Sequence, residues 1–394
     1  MLTDSAIDRP DDVERSAAAP PVILTLIRHG ETTANLARLL QGVADSPLTV
    51  FGQAQVDALA SAFASTLDPL ATPLEAQETP SRAAKAGASR LDLPPPTLVV
   101  CSPVGRARKT AEAVYKACGG VAPAETLVDA SSDDMARTAR LLDAHRRPPT
   151  RDGLRLIVDP GLAERDFGPY ESTRNRQHVA GFERGRGKGE DKAAFKARVR
   201  SVGREWIEAA TALSQQLRQD TRVDDIDGVA GAQTAAAAAA AATPHLVLVS
   251  HGMWISSFLN LHPPTTLRRV PGQPDFLPFA HNTGIFSLSV EAAEAGGVAR
   301  AKTTLFKAND VQHLANVKRQ RGGIGRVAHD ERQTKLQGFF APLGTKRRAE
   351  EPVAASASVP GEASGPVATE GSNKKRAAAP VVAEAIEGQI EEGS

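Results

Sequence analysis

Five dense apolar runs punctuate the chain, at 22–27, 97–101, 154–158, 245–249 and 285–290. Each is short, rich in Val, Ile and Leu, and bounded by polar or turn-forming residues, the pattern of strands buried on both faces. Helical spacing lies between them. "TVFGQAQVDALASAFAST" places Val56, Leu59, Ala60 and Phe63 on one face. "VGRARKTAEAVYKA" is a second helix, and "FKARVRSVGREWIEAATALSQQL" a long third one lined by Val199, Val202, Trp206, Ile207 and Leu213. Strands alternating with helices predict an α/β fold, a three-layer α/β/α sandwich around a mostly parallel sheet.

The pattern lapses at about 68–96, 119–153, 172–192 and 218–243, which are polar, Pro/Gly-rich, charged or, in "TAAAAAAAA", of low complexity. These are expected to be insertions in one domain spanning 21–310. Residues 1–20 are expected to be a disordered lead, 311–344 a C-terminal extension, and 345–394 a disordered tail of Ala, Gly, Pro, Ser and Glu. No internal repeat is visible.

Composition narrows the class. The 47 basic and 46 acidic residues nearly cancel, so any anion-binding function must be local. Two cysteines, Cys101 and Cys118, imply no disulfide framework, and a reducing compartment is expected. The first residues, "MLTDSAIDRPDDVERS", carry no apolar signal core. "HLVLVSHGMWISSFLNLH" comes nearest to a membrane span but is interrupted by His, Ser and Asn. A cytoplasmic or nuclear location, or both, follows as the expectation, with no membrane association.

Three strand ends carry chemistry: "LIRHGET", "VVCSPVGRARKTA" and "LVLVSHG". Ligands of open α/β sheets gather beyond the carboxyl ends of the strands, so Arg28, His29, Arg106 and His251 are expected to converge there. Two guanidinium forks and two imidazoles make an anion site suited to phosphate, and a histidine in it is usable as a nucleophile at neutral pH. No His/Asp cluster has metal-ligand spacing, and no metal or other cofactor is expected.

"RHGETTAN", "SPVGRARKTA", "GLAERDFGPYES" and "SHG", in that order, resemble the signature of the histidine phosphatase superfamily, the phosphoglycerate mutase-like proteins. "QGVADSPLTVFGQAQ" is similar to the segment that follows the first motif in that family, and the resemblance covers about residues 22–306. It implies that His29 becomes a phosphohistidine, that Arg28 and Arg106 clamp phosphate oxygens, and that His251 completes the pocket. Thr32 and Asn35 stand where family members contact the phosphate or shape the pocket. Glu164, in "LAERDFG", takes the place of the family's acid, with Glu171 and Glu31 as alternatives. The acid segment resembles the phosphatase branch, although Tyr170 and Ser172 depart from its Trp-Glu-Gly ending. A phosphomonoesterase acting on a phosphorylated small molecule or protein is the expectation. A phosphoglycerate mutase-type phosphotransferase and a binding protein on the same fold are the alternatives.

"QTKLQGFF" is a second signal. Gln333, Leu336, Phe339 and Phe340 resemble the PCNA-interacting peptide, or PIP box, which implies docking on a DNA sliding clamp. One helical turn would set Leu336, Phe339 and Phe340 on one apolar plug. The basic clusters "KRQR", "TKRR" and "NKKR" are read as nuclear-import signals or solvated charge. "KRQRGGIGR" lacks interleaved aromatics, so direct nucleic-acid binding is not expected.

Overall fold

The computed structural model describes residues 20–67, 91–127, 136–146, 153–224, 243–268, 279–295, 298–330 and 332. The lead, the tail, most of the insertions at 68–96 and 218–243, and the clamp-binding candidates Gln333, Leu336, Phe339 and Phe340 lie outside these residues.

The first four expected strands are β1 (Val22–Arg28), β2 (Leu98–Cys101), β4 (Arg155–Val158) and β7 (His245–Ser250). They form the parallel heart of an eight-stranded sheet ordered β3-β4-β2-β7-β1-β9-β10-β8. The fifth run opens β9 (Ile285–Ala295), which pairs antiparallel with β1 and turns back into β10 (Val298–Asp310). Short strands close both edges, β3 (Glu125–Thr126) on β4 and β8 (Thr266–Leu267) on β10.

Side-chain alternation along the strands builds two cores. Leu24, Leu26, Leu98, Val100, Leu246 and Leu248 face one layer, where α4 (Ala136–Arg146), α5 (Lys192–Asp224) and α6 (Gly252–Leu261) bury Leu141, Phe195, Trp206, Trp254 and Phe258. Ile23, Ile27, Val99, Cys101, Val247 and Val249 face the other, against Leu59 and Phe63 of α2 (Val50–Ala64) and Ala107, Ala111 and Val114 of α3 (Gly105–Ala117). Burying each large apolar side chain contributes about 1.5–3 kcal/mol, so both faces of the sheet are firmly covered. The fold is the α/β/α sandwich that the sequence pattern predicts.

Some stretches expected to be insertions are partly built into it. Residues 119–153 contain β3 and α4, whose Leu141 and Ala144 pack into the core beside α5. Residues 172–192 contain a hairpin of β5 (Thr173–Arg174) and β6 (Gln177–His178). Part of the expected C-terminal extension, 311–330, lies on the domain: the Val50 amide donates to the Val327 carbonyl at 3.0 Å and His329 to Leu48 at 2.8 Å. Among the described residues no helix is long and apolar enough to cross a membrane.

Candidate active site

β1 and β7 run side by side in register and end together, with the His29 amide bonded to the Ser250 carbonyl at 3.1 Å. That pairing sets the two imidazoles at the strand ends against each other, with ring centroids of His29 and His251 5.2 Å apart. Gly30 lets the chain after His29 pack closely against α2: a Cβ there would meet Val56 Cγ2 at 2.7 Å and the Gly52 carbonyl at 2.9 Å.

The His29 ring is almost fully buried, and its Nδ1 lies 2.8 Å from the Gly30 carbonyl. A carbonyl only accepts, so the proton resides on Nδ1 and the lone pair on Nε2. Nε2 faces Arg106, whose Nε donates to it at 3.2 Å. Burial, then the charges of Arg106 and Arg28, hold the His29 pKa well below the usual histidine range. A neutral, singly oriented imidazole results, its nucleophilic nitrogen lying among cations.

Arg106 is itself buried, donating to the carbonyls of Gly42 and Ala44 at 2.5 and 3.0 Å and to Asp45 at 3.4 Å. Burial lowers its pKa to about 10, opposed by Asp45, Glu164 and Glu171. Arg28 donates Nη1 to the Ala280 carbonyl at 2.7 Å, while its buried Nε has no partner. His251 contacts the Ser102 hydroxyl through Nε2 at 2.8 Å, and its buried Nδ1 has no partner. Ser102 Oγ accepts from the Val104 amide at 3.2 Å, which leaves its own proton free to donate to His251 Nε2. In that tautomer Nδ1 carries the ring proton. Two buried ring or guanidinium nitrogens without partners among the described residues, beside the His29 imidazole and Arg106, have the hydrogen-bonding demand of an oxyanion site.

Three buried or half-buried carboxylates were open as the acid, and their surroundings separate them. Glu31 is half-buried, accepts from Thr49 Oγ1 at 2.8 Å and takes the guanidinium fork of Arg319 at 2.9 and 2.5 Å. Glu171 is fully buried and accepts from three amides, Gly42 at 2.8 Å, Val43 at 2.9 Å and Phe167 at 3.0 Å. It pins the 42–43 loop on which Arg106 rests. Glu164 accepts from the Arg165 amide and from the Met253 amide at the start of α6, both at 3.0 Å. Its pKa is raised by burial despite those donors and the nearby Arg106 and Arg28, so it holds a proton more readily than an ordinary glutamate.

The acid segment is fixed from behind. Buried Asp159 takes Nε and Nη2 of Arg137, both at 2.9 Å, the Trp206 indole at 2.9 Å and the Gly161 amide at 2.8 Å. Arg198 donates Nη1 to the Gly161 and Ala163 carbonyls at 3.0 and 2.8 Å. Removing one partner of such a buried charge pair costs about 3–5 kcal/mol, which makes the approach to Glu164 rigid.

Thr32 and Asn35 are engaged with each other. Thr32 caps the short helix α1 (Thr33–Leu36) by accepting from the Asn35 amide at 3.1 Å, and both side chains donate to Gln41 Oε1 at 3.1 Å. Asn35 Oδ1 also accepts from Asn282, which donates to the His29 carbonyl at 3.0 Å. Their places are in the wall behind the nucleophile. Sequence reasoning passed over Ser102, Asn282 and Arg198; only Ser102 stood inside a family-like motif, and Arg198 lay in the quoted third helix. Cys101 is buried, and burial pushes its thiol up to about 12, out of reach of thiolate chemistry. Among the described residues no group of three or more His, Cys, Asp or Glu side chains is arranged to hold a metal.

A sequence model of the histidine phosphatase superfamily (branch 1) matches residues 24–74, the segment that carries His29 and the loop under Arg106. A probable phosphoglycerate mutase, GpmB, from Escherichia coli K12 is 34% identical over 94 residues, 24% of this chain and 31% of that protein. The chain thus matches about a third of the length of such curated relatives. Among solved structures, mycobacterial hydrolase 2 is 19% identical with a TM-score of 0.39, covering 74% of this chain and 92% of that one. A mycobacterial glucosyl-3-phosphoglycerate phosphatase is 18% identical with a TM-score of 0.37, covering 73% and 99%.

Proposed function

We propose that this chain is a phosphoryl-transfer enzyme of the histidine phosphatase superfamily, and within it a phosphomonoesterase working through a phosphohistidine at His29. The observation that carries this reading is the state of the His29 ring: neutral, locked by the Gly30 carbonyl, with Nε2 against Arg106. The family match over residues 24–74 supports it.

The chemistry follows from the charges. The Nε2 lone pair attacks phosphorus while the P–O bond to the leaving group breaks. Arg28, Arg106 and His251 Nδ1–H hold the nonbridging oxygens, whose charge persists through a loose transition state. Glu164 gives its proton to the departing alkoxide. In the second half a water attacks phosphorus, Glu164 takes the water's proton, and the P–N bond breaks to release phosphate and restore neutral His29.

A mutase is the second reading, favoured by the name of the GpmB relative. It differs only in the acceptor, a phosphorylated sugar acid in place of water. Turnover of p-nitrophenyl phosphate, lost in His29→Ala, is the result expected of a phosphomonoesterase. Interconversion of phosphoglycerates with no ester hydrolysis would establish the mutase instead. Clamp docking through 333–340 is a separate proposal. A pull-down in which Phe339→Ala/Phe340→Ala binds the sliding clamp as well as wild type would end it.

A further inference from the structure

Beside the 39–43 loop lies a second concavity, a cavity of about 830 Å³ lined by Arg38, Arg174, Arg176 and Lys188 over a floor that includes Phe167 and Tyr170. We propose that it is an anion-binding site separate from the phosphoryl-transfer pocket, built for a small phosphorylated molecule carrying two or more negative charges.

Charge accounting on its wall comes first. Three carboxylates also line the cavity, and each has a protein donor. Both oxygens of Glu190 are taken by Arg198, at 2.9 and 2.7 Å. Asp166 accepts from the Gly168 amide and Asp191 from the Ala194 amide, both at 2.7 Å. The guanidinium groups of Arg38, Arg174 and Arg176, by contrast, form no ion pair or hydrogen bond with the described residues. Lys188 interacts with Asp191 through charge alone. With Glu190 offset by Arg198, the lining sets Arg38, Arg165, Arg174, Arg176 and Lys188 against Asp166 and Asp191, a surplus of positive charge in one concavity on a chain whose overall charge is nearly zero.

The backbone fixes the points from which these exposed side chains extend. Arg174 is on β5, and the turn to β6 is the pair Asn175-Arg176, both left-handed at φ 51 and 62. That is the two-residue turn whose twist suits a tight hairpin. Arg38 is left-handed as well, at φ 53, a conformation that residues with side chains seldom adopt. The Ser172 amide donates to the Leu40 carbonyl at 2.8 Å and Leu40 to Thr173 at 2.9 Å, so the hairpin and the Arg38 turn are one unit. Guanidinium forks recognise phosphate oxygens in pairs, and half-exposed Tyr170 offers an aromatic face to whatever carries them. An open concavity of this size matches a small molecule rather than the extended backbone of a nucleic acid.

The test is binding and needs no catalysis. Titration calorimetry of the full chain with pyrophosphate at low salt is expected to show an event that weakens at least about tenfold in Arg174→Ala/Arg176→Ala, with orthophosphate binding there more weakly. Arg38→Asn, outside the hairpin and compatible with its left-handed backbone, is expected to weaken the same event. Hydrolysis of p-nitrophenyl phosphate should stay within about twofold of wild type in each variant. Three results would overturn the assignment: pyrophosphate binding unchanged in these variants, hydrolysis lost in parallel with binding, or a single-stranded oligonucleotide that binds more tightly than pyrophosphate through the same arginines.

Discussion

β7 begins with one buried histidine and is followed at its end by another. At its start, His245 lies 2.6 Å from the Pro94 carbonyl through Nδ1 and 2.8 Å from Thr25 Oγ1 through Nε2, and Thr25 continues to Ser287 at 3.0 Å. At its end, His251 has one partner, Ser102, and a buried nitrogen with none. Burial keeps both rings neutral, lowering His245 to about 4 and His251 well below the usual range. Equal burial and equal charge state therefore accompany opposite roles. A satisfied ring holds two strands and a loop together; a ring with a nitrogen unpaired among the described residues keeps the hydrogen-bonding capacity that the proposed phosphate site requires. The carboxylates show the same division, with Glu171 bound by three amides and Glu164 by two amides and an upward-shifted pKa.

The strongest challenge to this division falls on Glu164. Glu164→Gln keeps the shape and removes the transferable proton, and is expected to lower kcat by about 10²–10⁴ with little change in Tm. Because the Glu164 pKa is raised, its protonated form survives to higher pH than an ordinary glutamate's. The wild-type rate should fall on the alkaline side as Glu164 ionises, and that limb should be absent from the variant's profile. Next, His251→Ala removes an oxyanion donor and should cut kcat/KM by about 10²–10³ while leaving the fold intact.

His245→Ala should do the reverse. It strands Thr25 and the Pro94 carbonyl and should lower stability by about 1–3 kcal/mol in denaturant titration, with kcat per folded molecule unchanged. A His245 variant that folds normally but does not turn over would erase the distinction drawn above. The last effect is in pH dependence. An unfolded histidine titrates near 6.5 and folded His245 at about 4, so between those values the unfolded chain binds the extra proton. Stability is complete above 6.5 and is lost as pH falls through 4. His245→Gln should flatten that fall by up to about 1.4 kcal/mol per pH unit.

The fold and the pocket were legible to different depths. The parallel heart of the sheet announced itself because each strand is buried on both faces, so residues 22–27 are apolar but for Thr25 and residues 246–249 are apolar throughout. α6 follows the apolar β7 run so closely that its own period, buried Trp254, Ile255, Phe258 and Leu259 against Ser256, Ser257 and Asn260, was masked. β10 was hidden by "RAKTTLFKAND", in which charged residues on a partly exposed strand mask the pattern. α4 was lost in a polar stretch where three buried residues, Thr138, Leu141 and Ala144, carry little weight in an 11-residue helix. The catalytic candidates were visible because they sit at strand ends in motifs. Their supports were not: Arg319 meets Glu31 across 288 residues, and Asn282 meets the His29 carbonyl across 253. Contacts that long leave no trace in local sequence.

The most direct test of the account is the covalent intermediate at His29. Rapid quenching of the full chain with a turning-over phosphate ester, followed by digestion and mass spectrometry, should find an acid-labile phosphoryl group on the peptide 22–38, on His29 itself. That adduct should be missing from His29→Ala and should accumulate in Glu164→Gln when the leaving group needs no proton. Steady hydrolysis by wild type with no trapped adduct, or hydrolysis persisting in His29→Ala, would contradict it.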